Sequence, residues 1–276
     1  MKTIYIQELN KTFTNKEELF KALKDNEQKI ISLKKATVYK SAEKGQFASG
    51  SLNASEIKSD FDWMKKGYFY PIVNTTNYYD SHGDVHFPAL WNKTIKEQSG
   101  RIHYVLDHEL KVGSVIAWPD NVGLMLKPIE WSAVGKDYPG TTEALILEVA
   151  ESDIVNQDAK SVYSAKRSVQ GSVRMSYVTI KLGINSDAKE YVENKAYYNS
   201  RINEIANRQD VEDAGYFFGI EEAKLIKETS MVLFGSNDAT SIVYPDAVDD
   251  TKGHDTTPPL PSMDYEKLLK AKLFTT

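Results

Sequence analysis

The chain has no cysteine among its 276 residues. Disulfides, thiolate nucleophiles and cysteine-held zinc or iron–sulfur centres are therefore excluded as its chemistry. It has no surplus of positive charge. The 34 Lys and Arg stand against 39 Asp and Glu, a net charge of −5, so no global field points to nucleic acid or anionic lipid. No apolar run approaches the roughly 18 residues of a membrane-spanning helix. The start, "MKTIYIQELNKTFTNKEELF", lacks the apolar segment of a secretion signal. The expectation is a cytosolic protein that uses neither membrane nor nucleic acid. A phosphate-binding P-loop, a dinucleotide fingerprint and a zinc-protease helix motif are also missing. What remains is an ordinary globular composition, 41% hydrophobic and 26% charged.

The patterning alternates strands and helices. "TIYIQEL" alternates as a strand, and "TNKEELFKALKDN" predicts a helix opened by Thr14 and Glu17, with Leu19, Phe20 and Leu23 on one face. "KIISLKKATVYK" suggests a return to strand, and residues 41–60 a Ser/Gly-rich surface loop. "YFYPIVNTTNYYD" reads as a buried strand leaving through the turn "DSHGDV", and "PALWNKTIKEQSG" as a short helix ended by glycine. "RIHYVLDH", "VGSVIAW" and "VGLMLKPIEW" are strand candidates, with "PDN" a turn between the last two. A helix is expected over 152–168, a strand over "QGSVRMSYVTIKLGI", a polar exposed helix over "SDAKEYVENKAYYNSRINEIANR", and a last strand over "EAKLIKETSMVLFGS". The domain boundary is expected near Pro245. Residues 1–245 form the body, 1–60 being an N-terminal extension and loop. Residues 246–262 form an acidic, proline-rich linker, and 263–276 a short amphipathic helix.

Three residues stand out as candidates for chemistry. His108 ends an apolar strand between Asp107 and Glu109; a histidine there is held by the sheet and titrates near neutrality. Ser172 enters a strand beside Gly171, which relieves crowding, and Glu228 lies on the last strand. A serine needs a base to remove its proton, and the base needs an orienting partner. Two choices stay open. Ser176 shares a strand face with Ser172, because their separation is even, and Asp84, Asp107 and Glu109 compete with Glu228 for the orienting role. No metal or cofactor is expected: His82 and His86 have helical ligand spacing, but Gly83 and Pro88 make that stretch a turn.

The stretch "TNYYDSHGDVHFPALWNKTI…IHYVLDHELKVGSVIAWPDNVGLMLK" resembles the tailed-phage prohead proteases, whose fold is related to that of herpesvirus assemblins. The shared features are the Asp/Gly turn at Asp80 to Val85, the strand ending in His108–Glu109, the hairpin at Val112–Gly113 and the turn at Asp120 to Leu124. Downstream, "GSVRMSYV" is similar to the family's nucleophile segment and "ETSMVLFGSNDAT" to its closing strand. Arg174 departs from the pattern, which often has glycine two residues after the serine. The resemblance implies an α+β fold, a mixed and mostly antiparallel β-barrel-like body flanked by helices. It also implies a serine endopeptidase of capsid maturation, with His108 as base, Ser172 as nucleophile and Glu228 as orienting acid. Scaffolding protein and the scaffold-like arm of the major capsid protein are the implied substrates, inside the assembling prohead in the host cytoplasm; self-cleavage and a homo-oligomer are left open. The alternatives are a catalytically idle structural component of the procapsid that keeps the fold for docking, or a peptidase unrelated to assembly.

Overall fold

The computed structural model describes residues 3–36 and 63–244. The chain opens with a hairpin of β1 (Ile4–Ile6) and β2 (Lys11–Phe13), then α1 (Lys16–Asp25) and α2 (Glu27–Ala36). β3 (Tyr68–Thr75), β4 (Asp84–His86), α3 (Asn92–Gln98), β5 (His103–Leu106), β6 (Val115–Ala117), β7 (Gly123–Glu130) and β8 (Thr141–Ala150) follow. The body ends with α4 (Gln157–Ser164), β9 (Gln170–Ile184), α5 (Val192–Arg201), α6 (Arg208–Ala214), β10 (Tyr216–Val232) and β11 (Ser241–Val243).

The fold is mixed α+β, as the patterning suggests, but the expected barrel is absent: among the described residues no sheet closes on itself. One sheet runs β11-β3-β8-β7. The other runs β4-β10-β5-β6, with β9 on the opposite edge of β10. β10 is long enough to pair in parallel with β4 through Phe218–Ile220 and with β5 through Glu228–Met231, while β9 lies antiparallel along its whole length. The main core lies between the two large sheets, where Tyr104, Ile116, Val173, Met175 and Met231 meet Val73, Leu124, Leu145, Leu147 and Val149. Among the described residues no helix is long and apolar enough to cross a membrane.

Several local expectations need correction. The segment expected as a strand from Lys29 is helical to Ala36, because Ile30 and Lys34, four residues apart, share the buried face of α2. The cap of α1 is Asn15 rather than Thr14: its side chain accepts from the N–H groups of Glu17 and Glu18. β8, an inner strand of its sheet, is one that the patterning does not predict, since a strand buried on both faces shows no clear alternation. The helix over 152–168 is confined to α4, capped by the Asn156 side chain. Of the expected polar helix over 186–208 the α-helical part is α5, with a short 3-10 turn over Ile202–Glu204 after it. α6 follows as a further helix that the patterning does not predict, and Asn194 and Tyr198 of α5 are buried. β10 begins at Tyr216, earlier than expected, and β11 follows it. The loop over 41–60 and the linker and helix over 246–276 lie outside the described residues.

A buried polar chain ties the N-terminal extension to the body. Lys34, 1% exposed, bonds Asp84 at 2.7 Å and Glu8 at 3.2 Å. Tyr177 of β9 donates to the other Asp84 oxygen at 2.8 Å, and His86 Nε2 lies 3.3 Å from the Tyr177 hydroxyl. The Asn74 amide donates to His86 Nδ1, and Trp91 Nε1 donates to Asn74 Oδ1. These bonds require a neutral imidazole protonated on Nε2. Burial, helped by the charges of His82 and Lys34, lowers the His86 pKa from 6.5 to about 3. The unfolded chain therefore takes up a proton between those values that the fold rejects, and this contribution to stability is lost as pH falls. Asp80, raised to about 6 by burial and the Asp84 charge, acts with the opposite sign. His86→Gln should leave a variant whose denaturation midpoint falls less than wild type between pH 6.5 and pH 4. An unchanged pH slope would show that His86 titrates in the fold as it does in the unfolded chain.

Candidate active site

Glu228, Ser230 and Ser172 lie on one face of the β10 sheet. In register, Glu228 stands beside His103 of β5 and Ser230 beside both Val105 of β5 and Ser172 of β9. Paired residues on neighbouring strands share a face, and strands are about 4.8 Å apart. The three polar residues therefore form a tight group on a rigid support. They are nearly buried: Glu228 and Ser230 are 0% exposed and Ser172 6%.

His108 reaches this group by leaving β5 sharply. Asp107 and His108 both take left-handed backbone conformations, with φ of 48° and 57°. For residues with a Cβ this costs roughly 1–2 kcal/mol each. Hydrogen bonds hold the turn: the Asp107 N–H donates to Met231 O at 3.0 Å and the Glu109 N–H to Leu106 O at 2.9 Å. The His108 N–H donates to Ser230 Oγ at 2.8 Å, and the Ser230 hydroxyl donates to Val105 O at 3.0 Å. Ser230 thus bridges the end of β5 to the backbone of His108.

The imidazole then lies between the other two groups. His108 Nδ1 is 2.9 Å from Glu228 Oε1, and His108 Nε2 is 2.9 Å from Ser172 Oγ. An ionised Glu228 can only accept, so Nδ1 carries the proton and Nε2 presents a lone pair to the serine hydroxyl. That is the tautomer in which imidazole can remove the proton of Ser172. Among the described residues Glu228 Oε2 is buried without a hydrogen-bond partner, and the carboxylate is directed at His108.

Position separates the alternatives that the sequence leaves open. Ser176 pairs with Lys224, four residues further along β9 and thus about 13 Å from Ser172. Asp84 is engaged by Lys34 and Tyr177. Glu109 binds Lys111 and Ser114, and the Asp107 side chain is exposed. Of the remaining histidines, His103 Nδ1 faces Lys227 O, and His86 belongs to the buried chain above. Among the described residues no group of three or more His, Asp or Glu is arranged to hold a metal ion. The residue of this group that the sequence does not single out is Ser230. Its two-residue spacing from Glu228 on one strand was the available signal.

Two backbone features seat the catalytic candidates. A Cβ on Gly171 would stand 2.2 Å from Ile72 O, so only glycine lets β9 approach β3 closely just before Ser172. The β9–β10 ladder slips between Leu225 and Thr229, where Lys227 has φ of 70°, and this bulge directs Glu228.

Ser230→Ala should leave the His108 N–H and Val105 C=O without their side-chain partner and lower stability by about 1–3 kcal/mol. Gly171→Ala should cost more, because the clash is with backbone and cannot relax through a rotamer. Urea unfolding of both variants checks this; an order reversed between them would place the tighter constraint at Ser230.

Family models, curated proteins and solved structures were all compared with this chain, and none matches it.

Proposed function

We propose that this chain is a serine endopeptidase in which Ser172 is the nucleophile, His108 the general base and Glu228 the orienting acid. One observation carries the reading: a single buried imidazole within hydrogen-bond distance of both a strand-borne serine and a buried glutamate. Each group alone has a bland explanation. The linear order of acceptor, imidazole and hydroxyl is what nucleophilic catalysis needs, because an unassisted serine hydroxyl is a poor nucleophile at neutral pH.

In the proposed reaction His108 Nε2 takes the Ser172 proton as Oγ bonds the peptide carbonyl carbon. The resulting imidazolium is stabilised by Glu228. It returns the proton to the departing amine nitrogen as the C–N bond breaks, leaving an acyl-enzyme. Water, deprotonated by the same nitrogen, then hydrolyses the ester and regenerates the hydroxyl. Backbone N–H groups from Ser172 to Arg174 are the candidates for stabilising the tetrahedral oxyanion; Arg174 faces the slipped part of the ladder and has no register partner.

The narrower reading, maturation of a phage prohead by cleavage of scaffolding protein and the capsid-protein arm, is supported by the motif resemblance alone. The same motif order singled out His108, Ser172 and Glu228, which lie together in space. Gene neighbours encoding portal and capsid proteins would support it further.

Folded protein treated with a fluorophosphonate should be modified at Ser172, located by mass spectrometry, and Ser172→Ala should abolish labelling while Ser176→Ala leaves it. Turnover of a cleavable peptide should fall on the order of 10⁶-fold in His108→Ala and 10⁴-fold in Glu228→Gln. Folded wild-type protein that resists labelling would overturn the enzyme in favour of the docking component.

A further inference from the structure

Beside the histidine turn, on the same face of the sheet as Ser172, lies a second feature. A groove of about 370 Å³ has Val105 and Val115 at its floor, and Leu110, Val112 and Trp118 around it. These last three are large apolar side chains left 44%, 79% and 39% exposed. Trp118 is held edge-on to His103 at 5.8 Å between ring centroids, so this wall is preformed. The rim carries Arg101, Lys111 and Lys227, and among the described residues no acidic one lines the groove. Lys111 is bound to Glu109, while the ion pairs among the described residues give Arg101 and Lys227 no carboxylate. Lys227 is the left-handed residue of the bulge that also directs Glu228. A cationic rim around an apolar floor is unusual on a chain of net charge −5, and its complement is an apolar side chain flanked by carboxylates.

Resting on the peptidase reading, we propose that this groove is a substrate subsite that seats an apolar side chain within an acidic stretch of polypeptide. Position supports one continuous binding track. Val105 is beside Ser230 in register and Ser230 beside Ser172, so the floor is two strands, about 10 Å, from the nucleophile's strand. An extended chain advances about 3.3 Å per residue. The seated residue therefore lies about three positions from the one whose carbonyl meets Ser172. Leu110, Lys111 and Val112 are also the continuation of the turn that carries His108. A segment bound there is in contact with the loop that sets the base.

The test uses full-length protein and a probe peptide carrying carboxyfluorescein on its N-terminal amine, Glu-Leu-Glu-Leu-Glu-amide, against analogues with lysine for glutamate or serine for leucine. Fluorescence anisotropy should give binding at least tenfold tighter for the acidic, leucine-bearing probe, weakening as salt rises. Arg101→Glu combined with Lys227→Glu should abolish the preference for acid. Val112→Asp, at a side chain too exposed to matter for folding, should weaken binding of the same probe at least fivefold. Fluorophosphonate labelling of Ser172 is measured on the same samples. Labelling without discrimination among the probes would overturn the subsite. Discrimination without labelling would overturn the peptidase reading, and the groove's assignment as its subsite with it. A concentration-dependent dimer dissolved by Val112→Asp would give the groove to a second copy of the chain and also overturn the proposal.

Discussion

The ladder that β10 makes on both its edges places every group of the candidate site. A buried strand must pair its N–H and C=O groups, and β10 does so with β9 on one side and with β4 and β5 on the other. Ser172, Ser230, Glu228 and the strand leading to His108 are thus brought within two strand spacings. The slip opposite Arg174 breaks the regular pairing just before Glu228, so the ladder yields where a side chain must be directed and is regular again where Ser230 meets Ser172. Precision at the site comes from backbone hydrogen bonds, which have little freedom, rather than from long flexible side chains.

His108 is held by opposing terms of similar size. Two consecutive left-handed residues are unfavourable by a few kcal/mol together. The bonds to Met231 O, Leu106 O and Ser230 Oγ offset this, because each satisfies a polar group that would otherwise be left unpaired near the core. Glu228 is costly to bury: a 0% exposed carboxyl group whose one hydrogen bond among the described residues goes to the imidazole. A purely structural core would favour an apolar residue there, which is why a catalytic account fits the glutamate better than a packing account.

The buried chain from Lys34 to Trp91 plays a different part. It runs through α2, β4, β9 and β3, so the N-terminal extension is fastened by charge and hydrogen bonds as well as by Leu19, Phe20 and Leu23 in the main core. β4 in turn pairs with the first half of β10. The extension therefore supports the strand that carries Glu228 and Ser230 from its far end.

The sequence by itself determined the strands that carry the site. β9 was legible over Gln170–Ile184 because β-branched and aromatic residues run between clear punctuation, and His108 was visible as a polar interruption where an apolar run ends. It also narrowed the chemistry to a few hydroxyls, carboxylates and one imidazole, and the motif order picked out Ser172 and Glu228. It left Ser172 against Ser176 open, because period-two alternation puts both on one face, and it left four carboxylates competing for the base. Only the tertiary structure decided these, since the pairing register of β9 on β10 is set by contacts far apart in the chain. The same reason explains the errors. Lys34 makes α2 look like part of a polar strand until Asp84, 50 residues away, gives it a buried partner. β8 shows no alternation because both of its faces are covered, and the open sheets replace a barrel because closure depends on edges that no local pattern records.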